Sequence, residues 1–309
     1  MQNSNHKPQD ARQSKVWLVT GCSSGFGRSL VPAILARGDR VVATARRVSD
    51  LDYLQHFENV KLLQLDVTSP DHVLSEKVEA AISAFGGIDV LVNNAGYVLS
   101  GVWEELRPED TKWQFETNFF GALNLTRVVL PHMRSKGAGV ILFMGSISGW
   151  HGVAAGGAYS ASKFALEGAV ECLAKEVKAI GIRVHILVIG QFRTNILDAK
   201  NKKGKLDADE GIVEYAAIKK QMADIHAVTQ GAQPGDPSLA VERIVDLGVL
   251  ENIAHEHVDN LPLRIPIGSD AVSVMRNKCQ DTLTLLDKWA DFASSTDYPD
   301  KIAVPGYYR

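Results

Sequence analysis

Tyr159 and Lys163 stand four residues apart, so on a helix they share one face. A phenol with an ordinary pKa of about 10 is a poor base at neutral pH. A neighbouring ammonium favours the phenolate and lowers that value. The pair therefore reads as a general acid–base couple tuned toward working pH. Ser146, thirteen residues before Tyr159, adds a hydroxyl. Taken alone, Tyr159 and Lys163 also fit a solvated helix pair, and Ser146, close to Ser148, fits a helix cap. A second chemical feature lies near the N-terminus. Thr20-Gly21-Cys22-Ser23-Ser24-Gly25-Phe26-Gly27 is a glycine-rich turn. Glycine removes the Cβ that would hold a backbone away from a pyrophosphate. Free N–H groups and the helix dipole at a helix start favour the same anion. The spacing, Gly-x-x-x-Gly-x-Gly, differs from the Gly-x-Gly-x-x-Gly dinucleotide fingerprint, and a plain structural turn stays open as an alternative.

Both features need elements to hold them. Val16–Thr20 is an apolar run that reads as a buried strand, and residues 26–37 have helical periodicity ending at Gly38. Further strands are expected at Val41–Thr44, Val60–Leu65, Ile88–Val92, Val140–Met144 and Arg183–Val188. Helices are expected at Pro70–Phe85, Thr111–Lys136 and from Ala158 to about Ile180, with Pro131 kinking or ending the second of these. Apolar strands alternating with helices imply an α/β, doubly wound, Rossmann-like parallel sheet with helices on both faces. Leu263–Ile267, interrupted by Pro266, suits an edge strand. One domain is expected over residues 15–309, after a flexible polar tail at 1–14. A substrate-lid segment falls at about 190–230 and a C-terminal extension at about 231–309. Residues 198–210, charged and glycine-containing, read as a mobile loop.

The motifs, taken in order, resemble the short-chain dehydrogenase/reductase family over roughly residues 15 to 290. The glycine turn matches its cofactor loop. Asn93-Asn94-Ala95-Gly96 follows the fourth strand, Asn118 sits in a Thr-Asn-Phe-Phe-Gly context, and Ser146 precedes Tyr159-x-x-x-Lys163. The resemblance implies a hydride-transferring oxidoreductase. Tyr159 would be the acid–base group, Ser146 would hold the substrate oxygen, and Lys163 would also contact the nicotinamide ribose. Asn118 would order a water relay. It further implies cofactor contacts at Gly21, Ser23, Ser24, Gly25, Phe26, Gly27, Arg46, Asp66, Val67, Asn94, Ala95, Gly96, Gly190, Phe192 and Thr194, with Asp66 at the adenine and Thr194 at the carboxamide. Asp66 also fits a turn or cap near Pro70, and Asn118 a local hydrogen bond. Many relatives have Pro-Gly where this chain has Ile189-Gly190, which predicts a looser backbone beside the nicotinamide.

An acidic residue ending the second strand usually holds the 2′-hydroxyl of NAD. That position falls on Ala45, followed by Arg46. Alanine cannot grip the diol, whereas arginine can pair with a 2′-phosphate, so NADP(H) is expected. Trp150, His151, Phe192 and Ile196 are candidates for the substrate pocket, with Tyr215, Ile218 and Met222 as further apolar lining. His151 fits an extra proton donor or an ordinary surface histidine. The expected substrate is a medium-sized, largely apolar carbonyl, secondary alcohol or imine. Alternatives are a recruited cyclisation, isomerisation or dehydration with cofactor retained, or a non-catalytic NADPH-binding regulator.

The 309 residues are 45% hydrophobic with a formal net charge of −3, which argues against a nucleic-acid partner. No window reaches the ~20 apolar residues of a membrane span, and the N-terminus lacks a signal-peptide pattern. Cys22, Cys172 and Cys279 have no zinc or redox spacing, so no metal is expected and a reducing, cytoplasmic setting fits. A homodimer or homotetramer is the expected assembly.

Overall fold

The strands of the central sheet divide their side chains between two cores. In β1 (Val16–Val19), Trp17 and Val19 enter one hydrophobic cluster and Leu18 the other, the period of two that a strand imposes. Because both faces are covered, the strand is apolar throughout. A computed structural model describes residues 13–194, 202–204, 206–253, 257 and 261–299. After β1 come α1 (Gly25–Ala36), β2 (Arg40–Ala45), β3 (Val60–Gln64), α2 (Asp71–Phe85), β4 (Val90–Asn93) and the two-residue β5 (Val98–Leu99). Next are α3 (Pro108–Phe115), α4 (Gly121–Lys136), β6 (Gly139–Met144), α5 (Gly157–Val177) and β7 (Ile182–Ile189). The chain continues through β8 (Lys202–Lys203), α6 (Ala216–Thr229), α7 (Pro237–Val249), β9 (Arg264–Ile267) and α8 (Ser269–Ser294).

Seven strands form one parallel sheet in the order β3-β2-β1-β4-β6-β7-β9. The register sets Leu18 beside Val42 on one side and beside Leu91 on the other. One core lies under α1 and α7, through Leu30, Ile34, Val241 and Ile244. The other lies under α2, α4 and α5, through Leu74, Val78, Leu125, Val129 and Leu166. The α/β doubly wound expectation is met. The direction of winding reverses between β1 and β4, where a crevice opens beyond the carboxyl ends. β9 pairs with β7 alone, so Pro266 sits at the edge as expected. Among the described residues, no helix is long and apolar enough to cross a membrane.

Two local expectations need correction. Pro131 neither ends α4 nor marks a break; the helix runs to Lys136 and closes on Gly137 at φ +65°. Pro131 and Arg127, whose carbonyl loses its helical partner, both lie on the solvent side, where water can take that bond. The interruption falls earlier, in a π-helical turn at Glu116–Phe120 between α3 and α4. The expected loop at 198–210 contains β8, which pairs in parallel with β5. Residues 198–201 and 205, like most of the N-terminal tail, lie outside the described residues.

Trp17 links the central strand β1 to the turn before β2 and to α7. It is fully buried, and its indole N–H donates to Asp39 Oδ2 at 2.9 Å. Asp39 Oδ1 accepts the Lys15 N–H at 2.8 Å. Gly248 of α7 lies flat on the indole, and a Cβ there would overlap the ring carbons. Gly248→Ala should therefore destabilise the protein by about 1–3 kcal/mol. A thermal melt should show the midpoint falling by several degrees; an unchanged midpoint would mean that α7 shifts freely over Trp17.

Candidate active site

The glycine turn and the Asn93–Gly96 segment are packed against each other at the winding reversal. Thr20 Oγ1 accepts the N–H groups of Asn94 and Ala95, both at 2.9 Å. Asn94 Nδ2 returns hydrogen bonds to the carbonyls of Thr20 at 2.7 Å and Gly21 at 3.1 Å. A Cβ on Gly21, at φ +70°, would lie 2.9 Å from Ala95 Cα. One on Gly27 would meet the Gly21 carbonyl and the Asn94 amide. These two glycines are thus required by close approach between the segments. Thr20 was missed by sequence reasoning, although it stands first in the motif.

Gly21, Ser23, Ser24, Gly25 and Phe26 line a groove of about 480 Å³ that runs past Ala45, Arg46, Asp66 and Val67. Asn94, Ala95, Gly96 and Thr194 line it too, and so does Lys203, from a segment expected to be loop. Gly27 lies behind the turn as a packing position. Arg46 is exposed at the groove wall, while Ala45 is buried and offers no acceptor. Asp66 Oδ1 accepts from the backbone N–H and the hydroxyl of Thr68, at 3.0 and 2.8 Å. Its turn role is therefore realised beside the groove. The cradle suits a dinucleotide: backbone comes to the surface where a Cβ would obstruct it, and the start of α1 points its N–H groups there.

The groove is continuous with a cavity of about 290 Å³, since both are lined by Phe26, Asn94, Gly96, Tyr97 and Thr194. Asn118, Ser146, Tyr159, Lys163, Gly190 and Phe192 all reach this cavity. Ser146 follows β6 and caps the short 3-10 turn at Ile147–Gly149, with its Oγ accepting the Ser148 N–H at 3.0 Å. That bond consumes a lone pair and leaves the hydroxyl proton available. Lys163 is buried, and its ammonium donates to the Met144 carbonyl at 2.7 Å. The Lys163 nitrogen lies 5.8 Å from the centre of the Tyr159 ring. Asn118, in the π turn, is buried and spends its amide on Tyr97, with Oδ1 accepting the N–H at 3.1 Å and Nδ2 donating to the carbonyl at 3.0 Å. π turns recur where a helix must re-aim one side chain.

The electrostatics depart from the sequence expectation. Burial pushes the Tyr159 phenol above its ordinary range, and a hydrogen bond with Ser146 pulls it the other way. Lys163 does not offset the burial, because desolvation acts on it too and brings it down to about 8, against the opposing pull of Glu167. The Glu167 carboxylate is itself held by Arg264 at 2.7 Å.

The substrate side also differs. Trp150 and His151 do not line the cavity. Trp150 turns toward Arg264, with the guanidinium 5.9 Å from its ring, and His151 is exposed. Tyr215 points outward to Glu104, its hydroxyl donating at 2.8 Å, and Ile218 is not in the lining. Ile196 lies outside the described residues. Phe192 does line the cavity, packed edge-to-face on Phe26 at 5.2 Å. α6 supplies Met222, Ile225, His226 and Thr229, of which only Met222 was anticipated. The backbone after β7 is firmly tied rather than loose. Gly190 N donates to the Ile267 carbonyl at 2.9 Å, and Gln191 N to Asp270 Oδ2 at 2.6 Å. A Cβ on Gly190 would strike the Asp270 carboxylate, so glycine is required there whatever precedes it.

Comparison with known proteins agrees with this geometry. A family model described as short chain dehydrogenase matches residues 15–205. A 3-ketodihydrosphingosine reductase of Bacteroides thetaiotaomicron is 40% identical over 189 residues, 61% of this chain and 68% of that protein. An uncharacterized oxidoreductase of Bacillus subtilis, YusZ, is 34% identical, covering 82% of this chain and 89% of its own. The crystal structure of a short-chain dehydrogenase from Streptomyces avermitilis superposes with a TM-score of 0.81 at 35% identity, over 93% of this chain and 99% of that one. With its motifs in order around one cavity and a family match over most of its length, this chain belongs to the short-chain dehydrogenase family of oxidoreductases.

Proposed function

We propose that this protein is an NADP(H)-dependent reductase of a medium-sized, largely apolar carbonyl compound. The observation that carries the reading is that Ser146, Tyr159 and Lys163 meet in one cavity that opens into the glycine-turn groove. When bound, the nicotinamide supplies hydride to the carbonyl carbon. Ser146, its lone pair engaged by Ser148, directs its proton to the substrate oxygen or to Tyr159. Tyr159, protonated because it is buried, delivers its proton to that oxygen as negative charge develops there. Lys163 then stabilises the phenolate that remains. Asn118, clamped on Tyr97, holds one wall in place. The cavity walls are mainly apolar, with Val153, Phe192, Met222 and Ile225 among them, which favours a substrate with a hydrocarbon body. The relative named for reduction of a 3-keto compound is consistent with this. Tyr159→Phe should abolish carbonyl-dependent NADPH oxidation and leave NADPH binding, read by fluorescence, within a few-fold of the parent. Retained turnover would refute the assignment.

Cofactor choice rests on the groove wall, where a buried Ala45 replaces an acid and an exposed Arg46 offers a cation. The ratio of kcat/KM for NADPH over NADH should exceed one and fall at least about 10-fold in Arg46→Ala, as expected for loss of one charge-assisted contact. An NADH preference in the parent protein would overturn the choice.

The buried lysine gives a signed pH dependence. Its folded pKa of about 8 lies below the unfolded value of about 10.4. Between these values the unfolded chain binds more protons, so folding stability rises with pH. At neutral pH the buried ammonium costs about 3 kcal/mol. Lys163→Met should therefore raise the melting midpoint at pH 7 by a few degrees while removing turnover. In the parent protein, kcat/KM for reduction should decline above about pH 8 as Lys163 loses its charge, because Tyr159 still holds its proton there. A flat profile to pH 10 would contradict this.

A further inference from the structure

The turn between α6 and α7 places one polar side chain in the cavity wall without a partner. Gln233 lines the cavity and is only 2% exposed. Its Oε1 receives no hydrogen bond from any described residue. Ser160 Oγ, also buried in this wall, lacks a partner as well. The two atoms differ in what they need. A serine hydroxyl can turn to a carbonyl of its own helix. An amide oxygen can only accept, so its partner must be a donor. Leaving such an atom buried without one is costly.

The backbone around Gln233 is fixed. Its carbonyl accepts from Arg193 Nε at 2.9 Å. The Arg193 N–H donates to the Gly235 carbonyl at 3.1 Å, and the Gly235 N–H donates to the Gln191 carbonyl at 3.0 Å. A Cβ on Gly235 would strike the Phe192 ring. Residues 233–235 are thus strapped to 191–193, on the wall that carries Phe192. Ser146 and Tyr159 reach the same cavity from the end of β6 and from α5. A substrate with its carbonyl oxygen at Ser146 and Tyr159 would meet Gln233 with another part of its body. Gln233 lines the cavity and not the cofactor groove, whereas Thr194 lines both.

We propose that Gln233 selects substrates carrying a neutral hydrogen-bond donor, a hydroxyl or an amide N–H, away from the reacting carbonyl. This rests on the carbonyl-reductase reading and narrows it, from a plain hydrocarbon body to one with a polar point. The donor is neutral because none of the described residues lining the cavity is an aspartate or glutamate, while Lys163 is a buried cation there. An ammonium would find no counter-charge in the wall.

Ligand binding to the NADPH-loaded Tyr159→Phe protein, read by calorimetry, tests the contact without turnover. The probes are an eight-carbon methyl ketone, its isomers hydroxylated at successive carbons, and the methyl ethers of those isomers. At least one hydroxylated isomer should bind about 10-fold more tightly than both the plain ketone and its own ether. Adding Gln233→Met should bring both ratios near one. Gln233→Glu, which keeps an acceptor oxygen in the same place, should retain the preference. Equal binding of hydroxylated and plain ketones would mean that water alone serves the amide, and would overturn the proposal. So would a preference that survives Gln233→Met, or tighter binding of the primary-amine analogue than of the alcohol. A matching loss of NADPH affinity in Gln233→Met would assign the amide to the cofactor and overturn it too. If the Tyr159 protein consumes no NADPH with any of these ketones, the reductase reading fails, and the calorimetric ranking still decides the role of Gln233.

Discussion

The site depends on the lock between two loops at the winding reversal of the sheet. Thr20 and Asn94 exchange hydrogen bonds across strands β1 and β4, which are adjacent in space and more than seventy residues apart in sequence. That lock brings backbones so close that Gly21 and Gly27 cannot carry a side chain. It also aims the end of β4 toward the groove, so that the Asn94–Gly96 strip belongs at once to the groove and to the cavity beside it. Parallel pairing of β4 with β6 carries the alignment on to Met144, whose carbonyl anchors Lys163. The acid–base groups are thus indexed to the glycine turn through hydrogen bonds of the sheet itself.

Burial of the acid–base pair sets a tension within this frame. Tyr159 and Lys163 are both desolvated, so the phenol is pushed up and the ammonium down. Each shift favours the neutral form, and in both cases desolvation outweighs the pairing partners. The protein accepts an unfavourable ammonium in its interior, held by a carbonyl and favoured by the charge of Glu167, which Arg264 in turn steadies. Local stability is given up where chemistry needs a charge. That chain of contacts ends at β9, so the edge strand with Pro266 also supports the site.

The fold was legible because the five interior strands bury both faces and therefore read as apolar runs, while helices end on Gly38, Gly86 and Gly137, all at positive φ. The motif residues were legible because a cradle and a Tyr-x-x-x-Lys face are local in sequence. What escaped was set by tertiary contact. The π turn at Asn118 follows from the clamp on Tyr97, which no helical periodicity encodes. Pairing of Lys202–Lys203 with Val98–Leu99 is too short to leave an alternating pattern. Trp150 and His151 are close to Ser146 in sequence, yet the 3-10 turn that follows Ser146 carries them away from the cavity. The α6 wall comes from far along the chain.

Asp270 stands in the first turn of α8 and, through Gln191, also fixes the backbone beside Gly190. At 26 residues the helix is about 39 Å long, with its fulcrum at the cavity wall. As a lever it has a short arm inside and a long arm outside. A sway of several ångströms at its tip becomes a fraction of an ångström at Asp270. The displacement is scaled down before it reaches the strip beside Gly190 while the force is scaled up, so the hydrogen bond from Gln191 to Asp270 is the contact that must bear it.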